Sequence, residues 1–468
     1  MGAPDRSAPH MDAMRYDLPA AEELPRRLAA AWLVLGVIAL IGSGLLAILL
    51  VGSRTPALQQ VIFWRDFFHT ALVIHVDLSV LIWFLAFAGV LWSLAGSARA
   101  AAAGWTAWAL SLAGTLALAA APFAAEGNPL MNNYVPVLRQ DLFFGALIVV
   151  ASGFGLLVLR AIFTIPFTLR PRDGAEALRA AAFLAALIAA IALAAFAWSW
   201  LALPMSGGQS YYEMLFWSGG HVLQFTHALL AAAAWIVLAD ACGAPIAASP
   251  RTTAWMFALA AAPALAAPLL AVWFPPGGAG HVIAFSQLMK WGHLAGLPLG
   301  VLVAAALWRG RGRMDRGGPL AASLLCSLAL FAAGGVLGFL IQGVNVVIPA
   351  HYHGSIVGVT LAFMGLTYRL LPRLGFAAPM RKLARCQAYI YAFGQFLHIS
   401  GLAWSGGYGV QRKVAGAGQV LKSMPEVIGM GMMGAGGLIA IIGGILFLVV
   451  CLRSMWPRRA GPQGLSAR

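Results

Sequence analysis

Charge is scarce in this sequence: Asp, Glu, Lys and Arg together make up 10% of 468 residues, against 61% hydrophobic. Soluble globular domains carry about a quarter charged residues, so a soluble fold is excluded and the chain reads as a polytopic membrane protein. Acidic residues are scarcer still, 15 beside 30 Lys and Arg. Those near the outer half of the expected spans are Asp77, Glu126, Asp141, Glu213 and Glu426, too sparse to line a carboxylate proton channel. The 4 cysteines, Cys242, Cys326, Cys386 and Cys451, show no CxxC spacing, which excludes a disulfide framework and a thiolate metal site and leaves apolar filler. No GxGxxG or Walker loop follows a strand, so no nucleotide site is indicated. No internal repeat is evident, and with no apolar segment ahead of the first long run no cleavable signal peptide is expected.

What the chain does have is apolar runs of the length that crosses a bilayer, about 20 residues. Twelve are read, at 28–51, 69–95, 103–124, 140–164, 177–203, 211–240, 252–274, 281–308, 320–344, 349–372, 385–407 and 427–452. The expected fold is all-α: a disordered cytoplasmic tail over 1–27, a domain of twelve transmembrane helices over 28–452, and a basic cytoplasmic tail over 453–468. With both termini cytoplasmic, 23 of the 30 Lys and Arg fall on the inner side. Six fall on outer loops (Arg54, Arg65, Arg139, Arg412, Lys413, Lys422), and Lys290 lies inside the eighth run. That asymmetry supports this orientation, in the inner or plasma membrane of a prokaryote. The net charge of +15 gathers on inner loops such as RGRGRMDR, 309–316, which suits an anionic lipid surface; no nucleic-acid partner is expected. The Ala-rich stretch at 177–198 reads as close helix packing through small residues.

Histidine inside a bilayer costs free energy, so each such residue is a functional candidate. Apart from His10 in the tail, the histidines are His69, His75, His221, His227, His281, His293, His351, His353 and His398, nearly all in the outer half of their spans. The stretch VIPAHYHGSIVG opens the tenth run with His351 and His353. On a helix, residues two apart point about 200° from each other, so this pair cannot grip one small ion. It can face two separate planar cofactors on opposite sides of one helix, and imidazole is the usual axial ligand of a redox-cycling haem iron.

GVNVVIPAHYHGSIVGVTLAFMGLTYRLLP, 343–372, resembles the tenth helix of catalytic subunit I of the haem-copper oxidase superfamily, and LVIHVDLSVLIWF, 72–84, is similar to the helix that carries the other low-spin haem ligand. The resemblance covers most of the chain. It implies a respiratory oxidoreductase with two haems, b-type or a-type: His75 and His353 as axial ligands of the low-spin haem, and His351 on the high-spin haem whose open face reduces dioxygen. His69, in FFHTALVIH, competes with His75, which is preferred because His69 sits at the membrane surface. GQFLHISGLAWSGGYGVQRKVAG, 394–416, resembles the segment whose basic pair holds haem propionates, here Arg412 and Lys413. Lys290 falls where the family often places a proton-entry lysine. No CxxCH exists, so the chain carries no covalent haem, and electrons are expected from a c-type cytochrome or a redox subunit of the same complex.

The resemblance also implies a second metal, copper or non-haem iron, facing the open haem. The family holds it with one histidine on the sixth helix and an adjacent pair on the seventh. His221 fits the first. At the seventh-helix position stand Val272, Trp273 and Phe274, and Phe225 stands where oxidases carry a redox tyrosine. His227, His281 and His293 are the remaining candidates, but His281 and His293 are twelve residues and about 18 Å of helical rise apart, so they cannot share one site. Nitric oxide is the alternative substrate, because its two-electron coupling does without the tyrosine. A non-catalytic haem protein for electron transfer or gas sensing is the alternative of another class; a transporter explains twelve spans but not the shared level of the histidines.

Overall fold

The computed structural model describes residues 16–20, 22–56, 58, 67–124, 126–414 and 416–456. Its helices are α1 Glu23–Arg54, α2 Phe68–Ala95, α3 Ala101–Ala124, α4 Asp141–Thr164, α5 Gly174–Ala202, α6 Gln209–Ala241, α7 Pro250–Trp273, α8 Ala279–Gly310, α9 Pro319–Phe339, α10 Val347–Arg373, α11 Arg381–Gly407 and α12 Met424–Met455. All but α11 are long and apolar enough to cross a membrane, which gives 11 candidate spans among the described residues. The difference from twelve lies in composition: α11 is 27 residues long, but Gln387, Gln395 and His398 dilute its apolar run. It packs along α12, α10 and α9 as a member of the bundle.

Local chemistry sets the helix ends. At α5 the Asp173 side chain accepts the Glu176 N–H at 2.8 Å. At α7 Ser249 does the same for Thr252, with Pro250 in the first turn, where its missing N–H costs nothing. At α12 Ser423 and Glu426 form a reciprocal capping box, which satisfies two otherwise orphaned donors. A short hairpin between α3 and α4, β1 Asn128–Leu130 and β2 Val137–Arg139 in antiparallel register Pro129↔Leu138, holds loop 131–136 against one end of the bundle.

Residues expected in a disordered tail are partly ordered. The Tyr16 hydroxyl donates to the Ala248 carbonyl at 2.9 Å and lies 2.8 Å from Thr253 Oγ1. The Asp17 carboxylate pairs with both Arg369 and Arg373, and α1 already begins at Glu23. The segment is retained because a buried phenol and a doubly paired carboxylate replace the solvation that a free tail would keep. Residues 1–15, with His10, lie outside the described residues, as do 457–468; the tail expected from 453 begins inside α12. Arg65 also lies outside them.

Two helices carry irregular turns at positions that matter below. In α2 the six residues Asp77–Ile82 are π-helical. In α8 the α-helix stops at Gly292, a 3₁₀ turn spans His293–Gly296, and a new helical segment starts at Leu297 with Pro298 in its first turn. Proline there cannot donate back into the preceding turn, which explains the break.

Candidate functional site

A cavity of about 2450 Å³ runs between α1, α2, α4, α5, α6, α8, α9, α10, α11 and α12, and His75, His221, His227, His293, His351, His353 and His398 all line it. Its wall is mostly aliphatic and aromatic, as an apolar planar ligand requires.

Six of the histidines share a hydrogen-bonding pattern that fixes their tautomer. Through Nδ1, His75 bonds the Ser43 carbonyl at 2.9 Å, His221 that of Trp217 at 2.6 Å and His281 that of Phe274 at 2.8 Å. His293 does so with Met289 at 3.0 Å, His351 with Gly334 at 2.7 Å and His398 with Met433 at 2.9 Å. A carbonyl oxygen can only accept, so each Nδ1 carries the proton and each neutral ring keeps its lone pair on Nε2. An imidazole whose Nδ1–H is held by a carbonyl is the ordinary outer-shell arrangement of a metal ligand. The α9–α10 contact contributes here: Gly338 is small enough for the His351 ring to lie over it, and a Cβ at Gly338 would come within 2.7 Å of Nδ1.

Helix α10 sorts its two histidines to different neighbours. His353 lies in the electrostatic field of His75, His398 and Arg54, with its ring centroid 4.7 Å from that of His398. His351 is instead the electrostatic neighbour of His293, which in turn neighbours His221. His281 also lies in the electrostatic field of His221, with its Nε2 buried and unpartnered. His227 packs against Phe84 at 4.9 Å, away from both groups, and its Nδ1 has no partner.

His69 is exposed, and its Nε2 donates to the Lys413 carbonyl at 3.1 Å. That nitrogen is therefore engaged outside the cavity, whereas His75 offers Nε2 inside it. Lys413 has a left-handed backbone, φ 60°, rare for a residue with a side chain; this turns its amine onto the Met131 carbonyl. Burial and the neighbouring Arg412 lower its pKa to about 8. Arg412 itself bonds the Asn133 side chain. Asn133 also donates backbone and side-chain N–H to Glu213. The hairpin loop thus joins the basic pair to α6, and its next residue, Tyr134, places its ring 4.7 Å from that of His221. Burial, with Glu213 beside it, pushes the Tyr134 phenol well above its ordinary value.

Sequence reasoning assigned no cavity role to Arg54, the last residue of α1. Its Nε and Nη2 are buried without a hydrogen-bond partner, and it stands in the field of His353 and His398. A guanidinium left so inside a bundle is costly unless an anion accompanies it; its signal in the sequence was a lone arginine closing an apolar run. Lys290 is exposed, its amine 5.5 Å from the Trp291 and Phe339 ring centres.

The residues present fit two haems: an imidazole on each side of α10, an apolar cavity, and a buried, unpartnered guanidinium at Arg54 for carboxylates. They do not fit the family's three-histidine copper set. Val272 and Trp273 are 73% and 69% exposed, and among the described residues no three His, Cys, Asp or Glu side chains converge to hold an ion.

Residues 27–446 match the model of the family described as cytochrome C and quinol oxidase polypeptide I. The chain is 30% identical to an uncharacterized protein of Rickettsia prowazekii, over 92% of this chain and 96% of that one. It is 26% identical to an uncharacterized protein of Aquifex aeolicus, over 77% and 88%. Among solved structures, a heme-copper terminal oxidase dimer superposes with a TM-score of 0.68 at 15% identity, covering 94% of this chain and 84% of that one. That likeness establishes the fold: a subunit I-like helical bundle.

Proposed function

The chain belongs to the cytochrome C and quinol oxidase polypeptide I family, the haem-copper oxidase subunit I family, and from that premise we propose which of its residues hold the haems and what is reduced there. Membership makes it a multi-pass membrane protein and a respiratory oxidoreductase. Beyond that, His75 and His353 hold a low-spin haem, and His351 holds a second haem with one face open. Bound haem supplies an iron that takes and gives single electrons. Electrons arrive from a c-type cytochrome or a partner redox subunit, and the substrate at the open face is dioxygen. Both termini face the cytoplasm, an orientation that the Lys and Arg distribution supports.

One observation carries this reading: the His353 ring lies 4.7 Å from that of His398 on α11, whereas the His351 ring is bonded through Nδ1 to Gly334 of α9, so the two histidines of α10 face different neighbours and one helix serves two centres. The protein's own contribution is orientation and charge. Carbonyls at Ser43 and Gly334 fix the His75 and His351 tautomers. Arg54, Arg412 and Lys413 offer cationic partners for buried carboxylates of the cofactors, each of which is otherwise expensive to hold in an apolar site. Aliphatic walls exclude water around them.

Phe225 favours nitric oxide as a second reading. No phenol stands at that position of α6, and the ring lies 4.0 Å from His293, so the four-electron cleavage of dioxygen has no redox tyrosine there.

The test is optical. A reduced-minus-oxidised spectrum, repeated with carbon monoxide, should show two haems of which one binds the gas. His75→Ala and His353→Ala should each abolish the low-spin band, and His351→Ala the carbon monoxide response. A low-spin band that survives either of the first two refutes the assignment, and a preparation without haem refutes the whole reading.

A further inference from the structure

We propose that His398 of α11 is a positioning residue for the low-spin haem, its pinned ring setting the plane in which the His353 imidazole meets the iron. This rests on the placement of that haem between His75 and His353.

His353 differs from the other two proposed ligands in what holds its ring. The Nδ1–H of His75 is held by the Ser43 carbonyl and that of His351 by the Gly334 carbonyl. The His353 ring has no such hydrogen bond among the described residues. Rotation about the bond that carries an imidazole ring has broad minima, so the plane of this ring is set by what packs on it. The ring packed on it from another helix is that of His398, 4.7 Å away between centroids with 62° between planes. Such an edge-on contact is a preferred geometry for ring pairs.

His398 is itself held by backbone. A β-carbon at Gly394 would lie 2.4 Å from Ala440 N, one at Gly401 2.4 Å from Met433 N, and one at Gly436 2.3 Å from His398 N. Glycines thus let the backbones of α11 and α12 touch, as small residues do between membrane helices. That contact lays the Met433 carbonyl 2.9 Å from His398 Nδ1. Gly437 leaves the ring its space, since a β-carbon there would come 3.3 Å from the same nitrogen. A carbonyl only accepts, so His398 donates through Nδ1, and its ring cannot turn without breaking a buried bond. His398 is 8% exposed and lines the cavity with His75 and His353. A carbonyl of α12 therefore orients a ring on α11, which orients a ligand on α10. Partners outside the ligands themselves orient and tune a metal centre in this way.

The angle between the two axial imidazole planes governs the g values of a low-spin ferric haem, so electron paramagnetic resonance reads this role. The purified, oxidised full-length protein is compared with His398→Leu and Gln387→Leu. Gln387 accepts from the Tyr368 hydroxyl at 2.8 Å and stands eleven residues from His398 on the same helix, about 16 Å of rise. Both variants should unfold at a lower temperature and keep both haem bands, and only His398→Leu should move the largest low-spin g value. An unmoved g value in His398→Leu overturns the proposal. So does an equal displacement in Gln387→Leu, which would trace the effect to general loosening of α11. Loss of the low-spin band from folded His398→Leu also overturns it, because His398 would then be a ligand. Wild type without a low-spin haem defeats the ligand assignment instead. If His398→Leu fails to fold, His398→Asn, whose amide can still donate to the Met433 carbonyl, carries the same expectation and the same refutation.

Discussion

Gly338→Ala tests whether the His351 ring is held as the structure shows. The added methyl carbon would sit 2.7 Å from His351 Nδ1 and 2.8 Å from Cε1. Ordinary contact begins near 3.4 Å, so the ring must retreat by about 0.7 Å. The Nδ1–H bond to the Gly334 carbonyl, 2.7 Å long, then stretches beyond the useful range of about 3.2 Å and is lost. A hydrogen bond of this kind contributes about 1 kcal/mol net, and alanine in place of glycine at the penultimate residue of α9 returns part of the about 1 kcal/mol that helix propensity gives in a helix interior. Global stability should therefore change by less than about 1 kcal/mol, while the ring proposed to hold the open haem loses its anchor. An energetic loss of about 1.4 kcal/mol at that ligand corresponds to a tenfold weaker carbon monoxide affinity. The assay is a carbon monoxide titration of the reduced protein beside thermal unfolding in the same detergent. Unaltered gas affinity with an unaltered low-spin band refutes the claim that Gly338 positions His351. Loss of the low-spin band would show instead that the helix as a whole has shifted.

Asp17→Asn removes the anion shared by Arg369 and Arg373, whose side chains are about a quarter exposed. Discounted for that exposure, the loss is about 1 kcal/mol, read as a lower unfolding temperature, and the gap to wild type should narrow at about 1 M salt. Equal stability of the two proteins at low salt would remove the tether from the account. Lys413 carries a pKa lowered to about 8 from 10.5, first by burial and then by Arg412. Between those values the unfolded chain binds a proton that the folded chain has released, so this group's contribution to stability rises with pH across the window, and charging the buried amine costs most below it. In haem-free protein Lys413→Met should therefore be more stable than wild type near pH 7, with the advantage fading by about pH 10. A pH-independent difference refutes the burial argument.

The helical architecture was legible because bilayer-length apolar runs are a strong one-dimensional signal, and boundaries such as 103–124 against Ala101–Ala124 differ by a turn at most. α11 shows where the signal thins: it is a helix because its backbone must pair internally, not because its composition demands it. His75, His351 and His353 stood out as polar groups in apolar runs. The contact of the His293 ring with Phe225 of α6 did not, because it depends on how two helices that are far apart in sequence pack together, and the break at His293 appears in sequence only as Gly292 and Pro298 bracketing a histidine. The role of the 131–136 loop was equally hidden, since Asn133 and Tyr134 read as ordinary loop residues until the hairpin lays them on Glu213 and His221.

The π-helical stretch Asp77–Ile82 has a genealogical consequence. A π turn houses one residue more than an α turn, which is what remains when a single residue is inserted into a helix whose two halves are both already committed. Below it, Trp83 to Ala95 is buried throughout; above it, His75 is committed to Ser43. Neither half can yield, so the extra residue is absorbed between them. Relatives that lack it should align with a one-residue gap inside 77–82. Deleting one residue there would leave the lower half seated and swing His75 by about 100° around the axis, altering which way its ring faces without altering any side chain.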